Sequence, residues 1–124
     1  MGEAFIFFGG VYTVALIVFH LLFRRIFKWP ESLASLNYVN RATMQVMNIS
    51  LTFIFVMFAF ISFAYTAELL NTPLGRTMLA LISALWLFRA ALQLVFYGWQ
   101  HKASAAFTIY FLLGMFLYGA PVIM

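Results

Sequence analysis

Four apolar runs, each about as long as a membrane is thick, leave this chain few ways to fold. They cover about residues 4–23, 43–65, 74–97 and 103–123. Roughly 20 residues at ~1.5 Å each match a hydrocarbon core of ~30 Å. Apolar residues within the runs are continuous rather than alternating, which specifies helices and argues against a β-barrel. Of the 124 residues, 66% are hydrophobic and only 8% are charged. A soluble domain of this length could not hide that much apolar surface, so lipid must cover the remainder. The expected fold is all-α: an integral membrane four-helix bundle with short loops, forming one four-span domain over residues 1–124.

The segments between the runs carry their own signals. The N-terminal Met1-Gly2-Glu3 lacks the basic residues that open a secretion signal, so the first run is expected to be a retained anchor. Ile6 stands where a myristoylation signal needs Ser or Thr. After the first run come Arg24, Arg25, Lys28 and Trp29, and then Pro30, which interrupts a helix. In residues 30–41, Leu33, Leu36 and Val39 recur every third position. That spacing suits a short helix on the membrane surface and equally a plain connector. Residues 67–72 read as a loop, with Asn71 or Thr72 capping the third helix and Pro73 in its first turn. Gly9, Thr13 and His20 share a face of the first run, and Gly114 and Gly119 offer close approach in the fourth.

Seven Lys and Arg residues against Glu3, Glu31 and Glu68 give a net charge of +4. All the bases but Arg89 lie at or near run ends, so the charge points to topology and not to nucleic-acid binding. Arg24, Arg25, Lys28, Trp29, Arg41 and Lys102 are expected to anchor the membrane interface on the cytoplasmic side, leaving both termini outside. Compactness and short loops point to a bacterial inner membrane. The absence of cysteine excludes disulfides, thiolate catalysis and cysteine-ligated metals.

Polar residues inside the runs carry the functional question. Arg41, Gln45, Asn48, Thr52, Ser62 and Thr66 fall within about a third of the circumference of the second helix at ~100° per residue. In a membrane such a stripe faces protein or a wet cavity. The third run holds Arg89 in Trp86-Leu87-Phe88-Arg89-Ala90-Ala91-Leu92-Gln93, and none of the three glutamates lies at its depth. A charge at mid-span costs ~2.5–3.5 kcal/mol on insertion scales, so the residue needs a reason. Aligning span midpoints places Arg89, Gln93, Asn48, Gln45, His20 and Thr52 in one polar cluster. Four roles for Arg89 stay open. It reaches lipid phosphates, or bonds Asn48, Gln45 or backbone carbonyls to join helices, or holds the anionic head of a ligand, or meets an acid on another chain.

His20 lacks a second histidine at its depth, since His101 lies at the surface, and there is no buried carboxylate; no metal or cofactor is expected. No nucleophile–base–acid set or glycine-rich phosphate loop is present. Sixteen Phe, six Tyr and three Trp are read as packing and lipid contact. The leading expectation is a non-enzymatic membrane protein acting as a homo-oligomer or as a subunit of a larger membrane complex. The alternative is a binding or transport module for an amphiphilic anionic ligand or lipid, using the polar cluster. A third is a lipid-modifying enzyme with His20 as base and Arg89 as electrostatic stabiliser.

Overall fold

The computed structural model describes residues 2–26 and 28–123, the side chains of Arg24 and Ser32 aside. Its helices are α1 (Gly2–Leu21), α2 (Phe23–Ile26), α3 (Trp29–Ser32), α4 (Tyr38–Ala64), α5 (Thr66–Asn71), α6 (Pro73–Tyr97) and α7 (Lys102–Ile123), with a 3-10 turn at Leu33–Ser35. No strand occurs among the described residues. Helices α1, α4, α6 and α7 are long and apolar enough to cross a membrane. The fold is therefore all-α, as expected of a four-helix membrane bundle.

The chain divides into two compact units. The first comprises Met1–Gly9 with Ser62–Met124, and the second Gly10–Ile61. In the first, α6 buries Gly75, Leu79, Ile82, Trp86, Ala90 and Gln93, while α7 buries Ser104, Thr108, Phe111, Gly114, Tyr118 and Pro121. Steps of three and four keep each set on one face, the spacing of left-handed helix pairs. The pair is antiparallel: Arg76 at the start of α6 donates to the Val122 carbonyl at the end of α7. That carbonyl lies in a last helical turn, where no onward backbone donor exists.

The expected loop at 67–72 is the short helix α5. Its Thr-Ala-Glu-Leu-Leu-Asn sequence is rich in helix formers, and Leu69 anchors it at 2% exposure. Thr72 then caps α6 by accepting from the Gly75 amide at 2.9 Å, with Pro73 in the first turn, as the sequence predicts. Gly75 has no room for a side chain, because an added Cβ would lie 2.2 Å from the Glu68 carbonyl oxygen. Gly9 of α1 likewise seats the Tyr118 ring, whose hydroxyl shares a 2.9 Å hydrogen bond with Ser62.

In the second unit the connector is not one surface helix. Residues 30–41 are divided between α3, the 3-10 turn and the start of α4 at Tyr38, with α2 ahead of them. Leu33 is buried, whereas Val39 is exposed on α4, so the three-residue spacing of the apolar residues does not mark a single face. The break between α2 and α3 comes at Lys28, which adopts the left-handed conformation (φ 51°, ψ 51°), and Pro30 sits within the first turn of α3.

Candidate functional site

The six cluster residues belong to different units: Arg89 and Gln93 to the first, and His20, Gln45, Asn48 and Thr52 to the second.

In the first unit a directed relay ties α6 to α7. Arg89 can only donate, so its Nη1 faces Gln93 Oε1 at 3.2 Å and orients that amide. Gln93 Nε2 then faces Ser104 Oγ at 3.2 Å, and Ser104 donates onward to the Gly98 carbonyl at 2.6 Å. Thr108 closes the relay on the Ser104 carbonyl at 2.9 Å. The Arg89 guanidinium also lies over the Phe111 ring, 4.5 Å from its centroid, and Phe111 stacks on Trp86 at 5.8 Å. The half-buried cation thus meets a π face and an amide oxygen instead of a carboxylate. Gln100, which a continuous helix would place on the same face, lies exposed in the turn beyond Tyr97.

In the second unit Asn48 Nδ2 donates to the His20 carbonyl at 3.0 Å, in the last turn of α1. A carbonyl only accepts, so the amide orientation is fixed. Its Oδ1 is buried with no hydrogen-bond partner among the described residues. The His20 ring bonds the Leu16 carbonyl through Nδ1 at 2.8 Å, stacks on Phe23 at 4.4 Å and meets Phe55 edge-on at 5.0 Å. Thr52 bonds back to the Asn48 carbonyl at 2.8 Å.

All four cluster residues of this unit line one groove of about 410 Å³. Trp29 and Leu21 also line it, with Ile49, Phe53 and Val56 of α4. Leu21 also lines a second cavity, of about 460 Å³, together with Arg25, Lys28 and Glu31. Two of the sequence-derived anchors thus share a cavity, while the Arg24 side chain lies outside the described residues. Arg41 is half-buried near the start of α4, and Lys102 is exposed at the start of α7.

Sequence reasoning missed Phe111 and Ser104 as partners of the Arg89–Gln93 pair, and Glu31 beside the cations. The first had no signal, being one of sixteen phenylalanines. Ser104 could have been found, because a short turn after Tyr97 brings the start of α7 back to the level of Gln93. No family model matches this chain, and no curated protein or solved structure does.

Proposed function

We propose that this is a non-enzymatic integral membrane protein that binds an amphiphile with a phosphate-bearing or otherwise anionic head, in the groove along α4. The observation that carries the reading is the continuity of two linings at Leu21: a mostly apolar groove with His20, Gln45, Asn48 and Thr52, and a cavity bearing Arg25 and Lys28. An acyl chain suits the first and an anionic head the second. By the charge distribution of the loops, that head belongs to the cytoplasmic leaflet. Trp29, which lines the groove, is the residue type that settles at a membrane interface. On this reading Arg89 and Gln93 are structural, since Arg89 Nη1, the guanidinium face and both amide atoms of Gln93 are engaged within α6 and α7.

A second reading, as homo-oligomer or as subunit of a larger complex, draws on the same face. Gln45 makes no side-chain hydrogen bond among the described residues, and Ile49 and Phe53 beside it are 69% and 64% exposed. A helix of another chain carrying a polar side chain would answer both.

Native mass spectrometry from mild detergent separates the two, with wild type beside the Arg25→Ala/Lys28→Ala variant. A discrete lipid mass retained by the wild type and lost in the variant, at unchanged stoichiometry, is the expected result. Lipid-free oligomers that dissociate on Gln45→Leu would overturn the binding reading in favour of assembly.

A further inference from the structure

The cavity beside the groove is lined by two cations and one carboxylate, and the carboxylate is the informative member. Lys28 and Glu31 are held one turn apart by the left-handed backbone of Lys28 and by the Glu31 amide, which donates to the Lys28 carbonyl at 3.0 Å. Their side chains line the same cavity as Arg25, yet among the described residues Glu31 is ion-paired with neither cation. A site for a purely anionic head would gain nothing from a carboxylate in its wall, since like charges at close range repel. Two cations and an acid that pairs with neither of them among the described residues are complementary to a head that carries both signs.

We infer that the amphiphile is an aminophospholipid, with its phosphate between Arg25 and Lys28, its primary ammonium on Glu31 and an acyl chain passing Leu21 into the α4 groove. This rests on the amphiphile-binding reading above and adds the chemistry of the head. The ammonium supplies N–H donors that a carboxylate accepts with charge assistance, and the phosphate supplies oxygens for the two cations. A glycerol head offers neutral hydroxyls to Glu31, and a bare phosphate offers it nothing.

The test uses the full chain in mild detergent, with phosphatidylethanolamine and phosphatidylglycerol of identical acyl chains at equal concentration, read by native mass spectrometry. The wild type is expected to retain the ethanolamine lipid about fivefold more, the order of one charge interaction near a membrane surface. Glu31→Gln is expected to erase that preference while total lipid retention persists through Arg25 and Lys28. Equal or glycerol-favoured retention by the wild type, or a preference that survives Glu31→Gln, would overturn the inference and leave the binding reading standing. Retention of neither lipid would overturn both.

Discussion

Replacing Gln93 by leucine separates a structural relay from a coincidence of polar side chains. Gln93 is 4% exposed and makes two directed bonds of 3.2 Å, one from Arg89 and one to Ser104. Only the second crosses between helices, and interhelical bonds in membranes average ~0.6 kcal/mol with a maximum near ~1.7. The bond from a charged donor is worth ~1.5–3 kcal/mol in general, and the long distance puts it at the lower end. Leucine has nearly the same bulk, so the cavity contribution is small. Arg89 keeps the Phe111 ring, worth ~0.5–2 kcal/mol. The net expectation is a loss of about 1–2 kcal/mol in reversible unfolding in mixed micelles. A double-mutant cycle with Ser104→Ala should return a coupling near ~0.6 kcal/mol. Unfolding unchanged within ~0.3 kcal/mol, or a coupling of zero, would refute the relay. Arg89→Ala should destabilise the protein while leaving lipid retention unchanged; loss of lipid at full stability would instead return Arg89 to the binding site.

Gly75→Ala should destabilise by about 1–3 kcal/mol, because the new methyl meets backbone that can yield only by moving α5, and thermal unfolding would register it. Thr72→Ala should lose about 0.5–2 kcal/mol with the cap of α6, and Thr72→Ser should restore most of it. A reporter fused to the C-terminus should read as non-cytoplasmic, and a cytoplasmic reading would overturn the orientation drawn from the loop charges.

What the sequence reveals here follows from how far along the chain each determinant extends. The spans are legible because hydropathy accumulates over some twenty residues, and the Thr72–Pro73 start of α6 because capping is local chemistry. Most of the stripe is legible through helical periodicity: on α4, Thr52 and Ser62 are buried and Arg41, Gln45 and Asn48 half-buried, whereas Thr66 lies past its end on α5. Partners across space are harder. Asn48 bonds a main-chain carbonyl, which every residue possesses, so no side-chain pattern announces it. Arg89 selects one phenylalanine from sixteen, a choice made by the register of α7 against α6. The Arg25–Lys28–Glu31 cavity involves one left-handed residue just before a connector whose apolar spacing suits a surface helix and a plain connector equally.

That left-handed residue supports a last argument. A non-glycine residue in this conformation costs ~1–2 kcal/mol, and glycine would adopt it freely. A lysine there, on an exposed turn with glycine as the easier choice, fits the proposal that its side chain serves binding. Lys28→Gly should therefore leave stability unchanged or raise it by up to ~1 kcal/mol, the relief of strain being partly offset by greater freedom of the unfolded chain. The same variant should lose bound lipid if the proposal holds, because one of the two cations proposed to face the phosphate is gone. Lys28→Arg keeps the charge and the strain, and should keep the lipid. Stability and binding thus move in opposite directions in the glycine variant, which a merely structural lysine would not produce. A glycine variant that retains lipid as the wild type does would refute a binding role for the Lys28 charge.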